Sequence, residues 1–415
     1  MNWWQKLIQN KLATFGAILL ICFYMLAIAA DFVAPYHPNT SQIDGSLLPP
    51  SEIVWFNRQG EFGPYIYPTQ QGKTDIATGE RILIVDRDRP LKINWFVQGE
   101  RYNFLQFRLP YPSWKKNTQR DEKTNQTKTT TELKWKDISI FPGIPSNLHL
   151  FGVTEQNRIN LLGTDEQARD NFSRLLHGSR ISLSIGLIGI AISFPIGMLV
   201  GGISGYFGGW VDALIMRLVE VLMSIPKIYL LVALSGYLLV VQGLSNSARF
   251  ALIILITSFV GWAGLARVIR GQVLSIKEQE FIQAAKAMGA PRLYTIVRHV
   301  LPQTATYAIV SATLAIPGYI EAESVLSLIG LGIQQPDASW GNMLSSASNA
   351  SILLLQPWLI WPPAILIVLT VLAFNLLGDG LRDALDPRSL QVENTTRSRK
   401  NPLKKLKLQN SDQIN

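Results

Sequence analysis

The run ISLSIGLIGIAISFPIGMLVGGISGYFGGWV, residues 181–211, contains no Asp, Glu, Lys or Arg. A helix that crosses a bilayer needs about 20 predominantly apolar residues, so this run is long enough to do so. Residues 12–30 (LATFGAILLICFYMLAIAA), 228–248, 250–266, 300–320 and 338–378 are equally free of charge. Inside hydrocarbon every backbone polar group must find a partner within the chain, which makes such runs helical. The sequence therefore predicts an all-α polytopic membrane protein with six transmembrane helices. Composition agrees: 16% of the 415 residues are charged, against about a quarter in ordinary soluble chains.

Orientation is read from Lys and Arg, which concentrate on the cytoplasmic side. Lys6 and Lys11 precede the first run. Arg267, Arg270, Lys277, Lys286, Arg292 and Arg298 lie between the fourth and fifth runs, against Glu278 and Glu280. The segment after the sixth run carries Arg382, Arg388, Arg397, Arg399, Lys400, Lys404, Lys405 and Lys407. Six crossings from an inside N-terminus put both segments inside, so both termini are expected in the cytoplasm. The net charge of +9 then belongs to topology and anionic lipid. No aromatic-interleaved basic stripe suggests nucleic acid. Ala27-Ile28-Ala29 resembles a signal-peptidase site, but the apolar run before it exceeds the usual length of about 7 to 15 residues, so the segment is expected to stay. The single cysteine, Cys22, allows no intrachain disulfide and no cysteine-based metal site.

Four regions follow: 1–34 with the first span, an extracytoplasmic insertion over 35–160, the remaining spans over 161–388, and a basic tail over 389–415. In the insertion, EIVWFN, RILIVD, LKINWFV, YNFLQFRL and LKWKDISIF are rich in β-formers and punctuated by Pro, Gly and Asn, which predicts a β-rich subdomain. Residues 115–132, KKNTQRDEKTNQTKTTTE, have too little apolar surface to offset ordering entropy and are expected to be a mobile excursion. No internal repeat is visible.

Between the fourth and fifth spans stands QEFIQAAKAMGAPRLYTIVRHVLP, residues 279–302. Phe281, Ala284, Ala285 and Met288 fall at helical spacing on one face. Gly289 suits a left-handed helix end, and Pro291 suits the first turn of a second helix. The pattern is helix, turn, helix, with Leu301 and Pro302 leading into the fifth span. Periodicity leaves open whether the alanine-rich face rests on lipid, on its own bundle or on a partner. It lacks the Trp and Leu bulk of an interfacial anchor.

QAAKAMG followed by HVLP resembles the helix–turn–helix coupling loop of ABC-importer permeases, here within 270–302, which in that family docks into a groove on a separate ATPase subunit. The family pattern has Glu where this chain has Gln283, and Ile where it has His299. Gln keeps length and hydrogen-bonding capacity, and His299 is read as a packed residue rather than a metal ligand. LLGTDEQARDNFSRLLHGSRISL (161–183), GGWVDALIMRLVEVLMSIP (208–226), EAESVLSLIGLGIQQPDASWGNML (321–344) and NLLGDGLRDALDPR (375–388) resemble the C-type subunit of the dipeptide/oligopeptide/nickel branch. That branch usually has Leu-Gly in place of Gln167-Ala168.

The resemblance implies a permease subunit for peptides, or alternatively for nickel or another small solute. It implies as partners a B-type permease, two ATPase subunits that carry ATP and Mg, an extracytoplasmic binding protein and a bacterial inner membrane. Gln283, Ala284, Ala285, Gly289, Pro291, Leu301 and Pro302 are the coupling-loop positions. Glu321 and Glu323 follow an uncharged run and are candidate path carboxylates, because ionisable groups at membrane depth face a water-filled route or a partner. Glu323, which matches the family motif, leans toward a structural role; Glu321 stays open. Asp379, Arg382, Asp383, Asp386 and Arg388 are read as ion pairs that end the last helix.

The chain has no GxxxxGK[ST] loop to cradle ATP and no HExxH, so it is expected to bind no cofactor of its own and to catalyse no reaction. A stand-alone secondary transporter would predict inverted repeats, and a membrane enzyme would need a nucleophile or metal constellation.

Overall fold

The computed structural model describes residues 3–74, 81–120, 127–153, 158–240 and 246–385. The basic tail, Asp386 and Arg388 lie outside them. A short helix α1 (Trp3–Gln9) is followed by α2 (Lys11–Ile28), whose cap Asn10 accepts hydrogen bonds from the backbone N–H groups of Leu12 and Ala13. One turn, α3 (Ala30–Val33), ends the N-terminal unit.

Antiparallel strands come next: β1 (Val54–Phe56), β2 (Phe62–Ile66), β3 (Thr69–Thr74), β4 (Arg81–Val85), β5 (Leu91–Phe104), β6 (Phe107–Arg120), β7 (Thr127–Phe141) and β8 (Ile144–Val153). They form a sheet β1-β2-β5-β8 and the ribbons β3-β4 and β6-β7. The expected excursion 115–132 thus falls largely into paired strands, with Lys116 opposite Thr131; residues 121–126 lie outside the description. Its Thr-rich composition, read as disorder, is also one that strands accept. The sheet buries Ile66, Leu91, Ile93, Phe151 and Val153 against Tyr36 and Phe172. His149 fixes it to the end of the first span, with Nδ1 2.6 Å from the Ala34 carbonyl and Nε2 3.0 Å from that of Glu100.

The membrane region holds α4 (Asn171–Phe207), α5 (Gly209–Ser224), α6 (Lys227–Val240), α7 (Asn246–Ile276), α8 (Glu280–Ala287), α9 (Arg292–Thr295), α10 (Ala305–Leu328), α11 (Trp340–Leu344), α12 (Ala350–Leu355) and α13 (Trp361–Leu385). Five helical segments among the described residues are long and apolar enough to cross a membrane, or six if the bent pair α5–α6 is one span.

The runs and the helices differ in two places. Among the described residues the run 228–248 carries α6, only 14 residues long, which passes as a span only together with α5, from which it is bent by 81° just before the run. Pro226 lacks an N–H and pushes the preceding residue out of the helical region, and Ile225 accordingly sits at φ −88°, ψ 124°. The run 338–378 is likewise not one helix. It begins with α11, α12 and short turns, and only α13 crosses, starting at Trp361. Asn349 caps α12 and Gln356-Pro357 breaks the chain after it. Pro362 and Pro363 are tolerated because first-turn N–H groups have no intrahelical partner anyway.

Glycine brings the helices together. Gly197, Gly201 and Gly205 line one face of α4 at four-residue spacing. A Cβ on Gly197 would lie 2.9 Å from the Trp262 carbonyl oxygen, and one on Gly205 would lie 2.8 Å from that of Arg270. Backbone therefore meets backbone along the α4–α7 seam, the close approach that small residues permit where no hydrophobic effect drives association. Gly16 does the same for α2 against Ala373 of α13.

At the C-terminal end of the first span Arg180 of α4 donates from Nε to the Ala27 carbonyl (2.7 Å) and from Nη2 to that of Ile28 (2.9 Å), capping carbonyls the helix leaves open. The same guanidinium holds Asp31 at 2.8 Å, and His177 Nε2 lies 3.1 Å from that carboxylate. Burial pushes the Asp31 carboxyl up, but the His177 and Arg180 hydrogen bonds outweigh it and hold the group at about 2.

Candidate functional site

The segment expected to couple begins where α7 ends. Gln283 Nε2 donates to the Lys277 carbonyl at 3.0 Å and to Glu278 Oε2 at 3.3 Å. It satisfies a carbonyl beyond the last turn of α7, which a carboxylate could not do. Here the replacement of Glu by Gln has a structural role.

The helix α8 closes on a Schellman turn. Ala290 N–H donates to the Ala285 carbonyl (3.1 Å) and Gly289 N–H to that of Lys286 (3.0 Å). Gly289 takes φ +79° with no neighbour in the way of a Cβ, so backbone conformation alone requires glycine. Pro291 sits at the N-cap of α9. The second helix is irregular. Residues Ile296–Val300 form a π-turn and Leu301–Thr304 a 3₁₀ turn before α10 resumes. Pro302 offers no N–H to the preceding turn, and the ladder reorganises around it.

Burial separates two faces. Ile282, Ile296, Val300 and Leu301 pack with Leu265, Ile269 and Val273 of α7 and against Met198 of α4. Ala285 is also buried, at 5% exposure, so it belongs to the bundle-facing side and not to the outward stripe the spacing suggested. Phe281, Met288, Leu293 and Tyr294 are exposed, as is Ala284. The segment is held by its cations as well: Lys286 Nζ lies 5.2 Å from the Tyr206 ring centroid and the Arg292 guanidinium 5.6 Å from that of Phe207. Both rings sit at the C-terminal end of α4, so the exposed apolar face is carried on a braced support. The His299 ring packs on Tyr294 at 5.7 Å.

Two residues the sequence did not single out strengthen that support. Arg270 of α7 binds Asp212 of α5 through Nε (2.6 Å) and Nη2 (2.5 Å), and Ser204 of α4 donates to the same carboxylate. No spacing rule links positions 58 residues apart. The only signal was an Asp at the start of an amphipathic helix in a chain with few acids.

The candidate path carboxylates part company. Glu323 is fully buried and accepts hydrogen bonds from Ser327 (2.6 Å), Ser339 (2.6 Å) and Ser182 (3.5 Å). It ties α10 to α4 and to the start of α11 and faces no open surface. Glu321, two residues earlier on the same helix, is exposed. Near the N-terminal end of α4, Asp165, Asn171, Arg174, Gln335 and Asn342 line a polar cavity of about 410 Å³. Its Arg174 is occupied by the carbonyls of Pro38 (3.3 Å) and Pro336 (3.1 Å).

Comparison with known proteins bears on this arrangement. Residues 194–391 match the family described as binding-protein-dependent transport system inner membrane component. Residues 2–50 match the N-terminal transmembrane domain of oligopeptide transport permease C. Over those residues the chain is similar to such permeases.

Among its permease relatives, the oligopeptide transport system permease protein OppC of Haemophilus influenzae is 43% identical over 193 residues, covering 46% of this chain and 58% of that protein. The dipeptide transport system permease protein DppC of Bacillus subtilis is 45% identical over 190 residues, covering 46% and 57%. The chain thus spans less than two thirds of the relatives it matches. A solved inward-facing MetNI methionine ABC transporter aligns with TM-score 0.39 and 21% identity over 51% of this chain and 96% of that one.

Proposed function

We propose that the chain is one permease subunit of an ATP-driven importer of peptides and forms part of its translocation path. The observation that carries this reading is the exposed face of Phe281, Ala284 and Met288. It is set off by a glycine turn and backed by the buried Ile282, in a chain whose relatives are named oligopeptide and dipeptide permeases. An apolar face on a basic, water-facing helix calls for a partner with an apolar groove.

In this reading α5–α6 counts as one broken span, giving six crossings with both termini in the cytoplasm of a bacterial inner membrane. Two ATPase subunits supply ATP and Mg, a B-type permease completes the path, and an extracytoplasmic binding protein delivers cargo near the β-rich insertion 35–160. The chain itself performs no chemistry. Movement of the ATPase subunits reaches the bundle through α8, whose Ile282 is packed against α7.

The test is reconstitution. The chain co-purified with its ATPase, B-type and binding-protein partners is placed in liposomes and supplied with labelled trialanine. Uptake that needs both ATP and binding protein supports the reading. ATP hydrolysis without uptake of any peptide would remove peptides as cargo, and failure to retain an ATPase subunit would remove the importer assignment.

A further inference from the structure

Lys227 is a cation at a depth where none is expected. It opens α6 beside the Pro226 break, and its Nζ lies 5.3 Å from the centroid of the Tyr319 ring. Tyr319 fixes the depth. Its hydroxyl donates to Ser193 Oγ at 2.6 Å and abuts Gly261, and its ring lies against Gly189. Ser193 is thirteen residues from Arg180, at the outer end of the first span, and fourteen from Phe207, where α4 ends. At about 1.5 Å per residue that is roughly 20 Å from either side. Gly261 is the midpoint of α7 (Asn246–Ile276), and Tyr319 lies fourteen residues into α10. Three helices therefore agree that the ammonium sits near the middle of the bilayer.

An ammonium there is costly if it faces lipid. Its surroundings make it a built feature rather than a stray surface lysine. The tyrosine ring offers its electron-rich face, held by Ser193 and seated over glycine. Glu321 of α10 lies within Coulombic range of Lys227. The two make no direct ion pair among the described residues, and both lie on surface the chain leaves open. A cation and an anion held near each other, uncovered and at mid-membrane depth, match a solute that carries both signs.

We infer that Lys227, steadied by Tyr319, lines the aqueous path and is its contact for the carboxylate of a passing peptide, with Glu321 facing the peptide's ammonium. This deepens the peptide-importer reading and rests on it for the cargo, though not for the position of Lys227 on the path.

Two measurements on the assembled complex test the inference. In a Cys22→Ala background, Lys227→Cys is exposed to an anionic methanethiosulfonate, and Ile18→Cys, on the outward face of α2, serves as the lipid-facing control. Cys at 227 should react at least tenfold faster. In proteoliposomes, Lys227→Gln should lower ATP-driven trialanine uptake at least tenfold, whereas Lys227→Arg should stay within threefold of wild type, with subunits co-purifying in unchanged ratio. Reactivity at 227 no greater than at 18 would overturn the path placement. Full uptake by Lys227→Gln would overturn the carboxylate contact. A reactive Cys at 227 in a wild-type complex that imports no peptide would support the path placement and sink only the peptide reading.

Discussion

Arg270 and Asp212 are joined by two parallel hydrogen bonds, 2.6 and 2.5 Å, which lock the start of α5 to the C-terminal part of α7, about two turns before α7 gives way to α8. Charge-assisted bidentate pairs are the stronger class of hydrogen bond. Both partners keep some solvent contact, at 33% and 15% side-chain exposure, so screening reduces the gain. A double-mutant cycle of Arg270→Ala and Asp212→Ala, read by thermal unfolding in detergent, should give a coupling of about 1 to 2 kcal/mol. Additive single effects would mean that the pair forms without contributing.

The α4–α7 seam depends on absent side chains. Gly205→Val would drive carbon into the Arg270 carbonyl and the Val273 side chain. Overpacking of this kind costs about 1 to 3 kcal/mol, and the unfolding temperature of the complex should fall accordingly. Gly264→Val is the control, since nothing stands within 4 Å of its Cβ position. Equal losses from both would point to helix propensity instead of the seam.

At Gly289 the backbone sets the cost. A φ of +79° disfavours any Cβ by about 1 to 2 kcal/mol, and Asn tolerates the region better than Leu. Gly289→Leu should leave insertion intact but separate ATP hydrolysis from uptake, while Gly289→Asn should retain most coupled transport. Normal uptake by the Leu variant would contradict docking through α8.

Acid should loosen the C-terminal end of the first span. Against the upward push of burial, the His177 and Arg180 hydrogen bonds hold the folded Asp31 carboxyl down at about 2, below the ordinary aspartate value of about 3.9. Its contribution is therefore complete above about pH 4 and is lost as pH falls toward 2. Asp170, which caps α4, has the opposite sign. Burial raises it to about 6 despite the N–H it accepts from Ser173, so its contribution declines as pH rises from about 4 through 6. Asp31→Asn should flatten the acid limb of stability against pH, and Asp170→Asn the limb near pH 5. An unchanged acid limb in Asp31→Asn would assign it to other groups.

Orientation can be checked with single cysteines at Thr130 and Lys286 in a Cys22→Ala background. A membrane-impermeant thiol reagent added outside intact cells should label position 130 and spare 286. The reverse pattern would invert the topology.

Charge-free runs and the spacing within 279–302 made the membrane class, the helix–turn–helix and its glycine turn readable from the sequence, because these depend on local properties. Hydrocarbon excludes charge wherever a span goes, and a left-handed helix end needs glycine whatever surrounds it. Tertiary structure decided the rest. Which face of α8 is buried depends on what Ile282 and Ala285 touch, so spacing alone grouped Ala285 with Phe281, Ala284 and Met288, of which only Ala285 is buried. The run 228–248 read as a span of its own because hydropathy does not show that α6 is short and joined to α5 through the bend at Pro226. Glu323 and Glu321, two residues apart on one helix, were both candidate path carboxylates in sequence, with Glu323 leaning toward a structural role and Glu321 left open. They differ because three serines from α4, α10 and the turn before α11 converge on Glu323, while Glu321 faces open surface near Lys227. Such convergence joins residues up to 141 positions apart, and no local pattern encodes it.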